Sequence, residues 1–182
     1  DLGFQPEHVL AMNVNLPNAG YATAIQRLQF FQRLQERVVT LPGVQSAAFA
    51  NRMPMRGGWA SSMAFPGVPD GDYRADMQAV SPGYFETLGI PLLRGRSLSA
   101  ADREGSAYVA VVNQAFARRY LNTEDPVGKQ ARRDSPGAPW FEIVGVVKDV
   151  KYFGVREDTE PMVYLPVWRD GAGARTLVIR TT

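Results

Sequence analysis

The sequence contains no cysteine and a single histidine, His8. That excludes thiol nucleophiles, disulfide scaffolds, zinc ribbons and iron–sulfur sites. An imidazole-dependent triad or metal centre would have to rest on His8 alone, which precedes the first strand pattern and reads as a surface or strand-edge residue. Among hydroxyl nucleophiles there is no G-x-S-x-G elbow. Ser81, Ser97 and Ser99 stand near turns, and Ser81, followed by Pro82, reads as a helix N-cap. The acidic sets Asp102/Glu104, Glu124/Asp125 and Glu157/Asp158/Glu160 lie in polar turns or beside Pro161. Hydrolytic or calcium chemistry needs carboxylates that converge, and these read as solvated loops. Gly57-Gly58 and Gly171-Ala172-Gly173 lack the strand-to-helix spacing of a phosphate loop and read as turns. Arg118-Arg119 end a helix pattern, where cations suit the dipole. Arg132-Arg133, Lys148 and Lys151 could meet phosphate or headgroups, but the interleaved aromatics of nucleic-acid binding are sparse. No catalytic, cofactor or metal residue is assigned. What remains is an apolar, glycine-rich loop carrying Met53, Met55, Trp59, Met63 and Phe65. These are the candidate contact for a partner or apolar ligand, with packing over the strands as the other reading.

The elements that would position these residues follow from periodicity. Leu10, Met12, Val14 and Leu16 alternate with polar or small residues, the pattern of a half-buried strand. Leu28, Phe31, Leu34, Val38 and Leu41 recur at three and four, predicting a helix over 21–41 with Thr23 as N-cap and Pro42-Gly43 as stop. A return strand over 44–51 completes a βαβ pattern. Further strands are expected around 63–65, 73–79, 92–96, 108–112, 141–147, 162–165 and 176–179. A short helix should follow Pro82 and end at Gly89, and a second should be capped by Asn113. Strands outnumber helices without strict alternation, which argues for an α+β fold.

The 182 residues, 45% hydrophobic and 21% charged, suit a globular chain of one domain or one domain with a second lobe. A net charge of +2 gives weak steering towards nucleic acid. The longest mostly apolar stretch free of charge is about ten residues, against the twenty a spanning helix needs. The start at Asp1, without an initiator Met, suggests a segment of a longer protein.

Five blocks carry a resemblance: VSPGYFETLGIPLLRGRSLSAAD (80–102), VAVVNQAFARRY (109–120), EDPVGKQ (124–130), FEIVGVVKDVKY (141–152) and EPMVYLP (160–166). In this order and spacing the chain resembles the MacB-like periplasmic core domain of ABC-transporter permeases, the MacB, FtsX and LolC/LolE group, including its large duplicated branch. The resemblance implies two lobes. A βαβ porter lobe would take 1–55 and 150–182, and an inserted, strand-rich sabre-like lobe 56–149. A transmembrane helix would end just before Asp1, and the porter lobe would continue with another helix and strand. The implied role is non-catalytic: on the periplasmic side of a bacterial inner membrane, the domain couples ATP-driven cytoplasmic motion to movement of a substrate or adaptor. The implied partners are the permease helices, a second permease copy, an ABC ATPase and a periplasmic adaptor, with no cofactor and no nucleic acid. The alternative function is an apolar-ligand or lipoprotein-binding module built on the five loop residues.

Overall fold

The βαβ pattern at the start of the chain folds in split form. The computed structural model describes residues 1–17, 19–55, 59–69, 71–152, 154, 158–170 and 176–182. Strand β1 (Val9–Asn13), helix α1 (Ala24–Val38) and strand β2 (Val44–Ala50) follow one another, but β1 and β2 are not hydrogen-bonded neighbours. The last strand, β10 (Thr176–Thr181), lies between them and runs antiparallel to both. Local periodicity cannot reveal an inserted strand that arrives from more than a hundred residues away. Thr23 caps α1 as expected, through a reciprocal box with Gln26. The helix ends at Val38, short of Leu41, because Thr40 and Leu41 turn back onto the carbonyls of Arg37 and Val38.

Between β2 and β10 the chain builds β3 (Trp59–Ala64), β4 (Arg74–Val80), α2 (Tyr84–Leu88), β5 (Leu92–Gly95), β6 (Val109–Asn113), α3 (Gln114–Leu121), β7 (Gln130–Arg133), β8 (Phe141–Val147), β9 (Met162–Pro166) and α4 (Val167–Asp170). Six of these strands close on themselves. Strand β4 pairs with β3, β3 with β7, β7 with β8, β8 with β6, β6 with β9, and β9 returns to β4. Strand β5 extends β8 on the outside, and β2 joins β4 through one bridge, Ala50 to Val80. The fold is α+β: a closed ring of strands with a three-stranded wing. Strand β9 falls within the 150–182 stretch that the sequence reading groups with residues 1–55, yet both its hydrogen-bonded neighbours lie in 56–149.

Strand alternation sorts the apolar residues into three cores. Met63, Phe65, Ala75, Met77, Ala110, Val112, Ala131, Phe141, Ile143, Val163 and Leu165 fill the ring, with Phe116 of α3 inserted at one end. Phe31 and Val38 of α1 pack on Ala47, Phe49, Leu177 and Ile179 of the wing. Burial of each such large side chain stabilises the fold by about 1.5–3 kcal/mol. On the opposite face of the wing, Ala48, Ala50 and Val178 meet α2, which also packs on Val109, Val111, Met162 and Tyr164 of the ring's outer surface. Helix α2 therefore fills the seam between wing and ring.

Three local expectations need correction. Leu10 and Met12 of β1 are not half-buried; they are 57% and 49% exposed, because α1 covers β10 and β2 and leaves that face of β1 open. Ser81 does not cap α2. Its hydroxyl accepts from the Phe49 N–H at 2.8 Å, and Gly83 takes the N-cap position at φ 83°. Strand β7 and helix α4 carried no readable signal, since QARR has little apolar alternation and VWRD is a single turn.

Gly95 and Gly145 sit opposite each other where β5 meets β8. A Cβ on Gly145 would lie 2.2 Å from the Arg96 carbonyl oxygen, and one on Gly95 2.1 Å from that of Val144. Such overlap can be relieved only by moving backbone. Gly145→Ala is therefore expected to lower Tm by roughly 10 °C, and Gly20→Ala, where nothing lies within 4 Å, by about 1 °C or less. Thermal unfolding by circular dichroism checks both; equal shifts would contradict the close approach.

Candidate functional site

Several residues of the five sequence blocks are engaged in holding the fold. Asn113 is fully buried at the junction of β6 and α3. Its Oδ1 accepts from the N–H of Phe116 at 3.0 Å and of Met162 at 2.9 Å, and its Nδ2 donates to the Glu160 carbonyl at 2.9 Å. It caps α3 as the sequence suggests and also fixes the start of β9, a role no spacing rule could show. A second cap for α3 comes from Asp149, which accepts from the Ala115 N–H and pairs with Arg118 at 2.8 Å. Arg96 binds Asp102 with two 2.8 Å hydrogen bonds, and the Ser99 N–H and hydroxyl donate to the same carboxylate. Burial pushes the Asp102 carboxyl up, but Arg96 and Ser99 outweigh it and hold it below its ordinary value.

The apolar candidates do not form one surface. Met63 is 1% and Phe65 5% exposed: Met63 points into the ring from β3, and Phe65, one residue past that strand, packs into the same core. Phe65 joins Tyr73, Phe116 and Tyr120 in edge-on and tilted ring contacts at 5.4–5.9 Å. Trp59 is half-buried against the ring core and Met53 against the seam. Met55 alone is largely exposed, at 41%, with its backbone in the left-handed region. Gly57-Gly58 and Gly171-Ala172-Gly173 lie outside the described residues, as does Glu157.

Other candidates are separated from one another. His8 is exposed, and its carbonyl accepts from Thr181. Glu160 pairs with Arg119 at 3.0 Å, and Asp125 sits in a turn, accepting from the Val127 N–H. Arg132 stacks over Trp140 at 5.0 Å. Among the described residues, no three histidine or acidic side chains are grouped to hold a metal ion. Two open surface features among the described residues stand out. An open depression of about 500 Å³ is lined by Phe65, Val68, Tyr120, Leu121 and Lys129. The uncovered face of β1 presents Leu10 and Met12. No described helix is long and apolar enough to cross a membrane.

One buried acid is held at a cost. Asp76 of β4 is 7% exposed. Burial first, and the Glu160 carboxylate second, push its carboxyl above its ordinary value, with Arg74 opposing.

Residues 8–182 match the family model of the MacB-like periplasmic core domain. Among solved structures, the chain is similar to the periplasmic region of MacB from Actinobacillus actinomycetemcomitans, with 18% identity and a TM-score of 0.63 over 99% of this chain and 77% of that one. It is also similar to the extracellular domain of the noncanonic ABC-type transporter YknZ from Gram-positive bacteria, with 13% identity and a TM-score of 0.58 over 95% of this chain and 81% of that one. Both likenesses are likenesses of fold. A search of curated proteins finds no significant match.

Because folding raises the Asp76 pKa above 3.8, the folded state gains stability as pH falls through the raised value and has its full gain below 3.8. Asp76→Asn removes that dependence. The variant should be more stable than the parent at pH 7, with the difference in Tm shrinking towards pH 3.5. A constant difference across that range, or a less stable variant at pH 7, would contradict this reading.

Proposed function

Since the chain belongs to the MacB-like periplasmic core domain family, and is thus the periplasmic domain of an ABC-transporter permease, we propose that it acts as a non-catalytic coupling body. In this reading it sits outside a bacterial inner membrane and passes ATP-driven motion of the cytoplasmic side to movement of a substrate or adaptor. Its partners are the transmembrane part of the same permease, a second permease copy, an ABC ATPase and a periplasmic adaptor. The observation that carries the proposal is the use made of the block residues. Asn113, Asp102, Tyr84 and Tyr164 are buried, and the first three are engaged in side-chain hydrogen bonds inside the fold. Side chains committed in this way stiffen a body that must move as a unit, because packed interfaces hold discrete arrangements.

In the same reading, residues 1–55 and 150–182 form the porter lobe, with β1, α1, β2 and β10 in it, and residues 56–149, which supply every ring strand but β9, form the sabre-like lobe. The apolar face of β1, with Leu10 and Met12, suits a further porter helix laid beside α1. A right-handed crossover from β10 to a strand beyond β1 brings such a helix to that face.

The placement is tested in the full permease in intact cells. The domain has no cysteine, so in a permease whose remaining segments are also freed of cysteine, Val68→Cys, an exposed position in the turn after β3, gives a single reactive thiol. A membrane-impermeant maleimide should label it once the outer permeability barrier is opened and the inner membrane is intact. Labelling only after lysis of the inner membrane would contradict the placement. Measurable nucleotide turnover by the purified domain would contradict the non-catalytic role.

A further inference from the structure

The first eight residues do not run straight into β1. They cross the seam first, fastened at three places to three different elements. At the start, the Leu2 carbonyl accepts from the Lys151 N–H at 3.0 Å, and Asp1 pairs with Lys148. Gly3 is buried there with φ at 80°, its backbone so close to that of Asp149 and Val150 that a Cβ would overlap the Asp149 carbonyl oxygen. In the middle, the Gln5 N–H donates to the Leu88 carbonyl of α2 at 2.8 Å, and Phe4 packs on the seam core. At the far end, the Arg180 guanidinium of β10 donates to the carbonyls of Gln5 and Glu7 at 2.9 and 3.1 Å, and to that of Thr87 in α2 at 2.8 Å. The His8 carbonyl then accepts from the Thr181 N–H at 2.9 Å, where the ladder with β10 begins.

Beyond this path β1 is weakly held. It is the edge strand of the wing, β10 is its one ladder partner among the described strands, and Leu10 and Met12 are exposed. A pull that reached β1 directly would peel it from β10 one pair at a time. We propose that residues 1–8 are a load-bearing strap: force applied at Asp1 passes to the segment after β8, to α2 and to the end of β10, and so enters ring and wing together through the seam before it can reach β1. The pair of Asp1 and Lys148 adds little, since both side chains are exposed. The fixation lies in the three backbone hydrogen bonds, the buried contact of Gly3 and the grip of Arg180 on three carbonyls, where a charged donor makes the stronger kind of bond. The use of such a strap in transport rests on the coupling role proposed above; the order in which load is taken up is a property of the 182-residue chain alone.

Two measurements on that chain test the strap. In native-state hydrogen exchange the Lys151 and Gln5 amides should be protected in the parent. Gly3→Val should speed the exchange of both by about tenfold or more, with a smaller change at the Val111 amide of β6. Fast exchange at both amides in the parent, an effect confined to Lys151, or a change at Val111 as large as that at Gln5 would overturn the proposal. In an optical trap the chain is pulled between its N-terminal amine and a thiol handle at Val68→Cys. The parent should hold without lengthening until it unfolds cooperatively. Gly3→Val and Arg180→Leu should each lengthen earlier, at low force, by up to about 3 nm, the span of eight extended residues. Early lengthening in the parent, or none in either variant, would contradict the strap. If Gly3→Val fails to fold, Arg180→Leu must still speed exchange at Gln5 and give the early lengthening. Neither measurement involves the rest of the permease, so a failed strap leaves the coupling role standing, and a failed coupling role leaves the strap to these results.

Discussion

The return of β9 into the space between β4 and β6 is the constraint on which the rest of the structure depends. Without it the ring is open, the outer face that α2 packs against is incomplete, and the chain has no route to β10. The side chain of Asn113 supplies the local fixation. One amide accepts from the first residue of β9 and from the first turn of α3, and donates to the carbonyl two residues before β9. The two N–H groups it accepts from are buried, so loss of the amide would leave both unpaired, each costing about 1–3 kcal/mol, with Asp149 as the remaining cap of α3. A short side chain thus joins the β6–α3 junction to the start of β9, nearly fifty residues further along the chain.

From that closure the seam follows. Once β9 is placed, Tyr164 and Met162 line the outer face of the ring, and α2 can rest on them while touching Ala48, Ala50 and Val178 of the wing. The wing itself joins the ring by a single strand bridge. Its attachment therefore depends less on the ladder than on this shared apolar core and on polar ties across it, such as Ser81 to Phe49 and Gln35 to the carbonyls of Ala47 and Pro82. Arg180 completes the arrangement by donating to the carbonyls of Thr87, Glu7 and Gln5, tying the end of β10 to α2 and to the chain's first residues.

Much of this was legible in the sequence wherever the determinant is local. Thr23, Asn113 and Gly89 mark helix ends by their own chemistry, and the apolar runs at 141–147 and 162–165 became β8 and β9. Determinants that depend on a distant partner were not. Leu10 and Met12 alternate like buried residues, but burial is decided by how far α1 reaches across the sheet. Met63 and Phe65 looked like members of a loose apolar loop because Ser61 and Ser62 obscure the alternation of β3. Ser81 had the form of a cap, yet its hydroxyl found the unpaired Phe49 N–H of a neighbouring strand. The family, by contrast, could be recognised from the spacing of blocks whose residues, as the structure places them, meet in the seam and around β9.

A domain built in this way has its chemistry inside, in bonds that resist deformation, and its open features outside, on β1 and on the depression near Tyr120. Movement of the whole body, as opposed to rearrangement within it, is the behaviour such a structure supports. The most direct measurement is a pair of spin labels at Gln32→Cys on the exposed side of α1 and Val68→Cys beyond β3, in the full permease with and without nucleotide. The account predicts an unchanged distance within each domain while the distance between corresponding labels on two permease copies shifts. A change in the distance within one domain on nucleotide binding would contradict it.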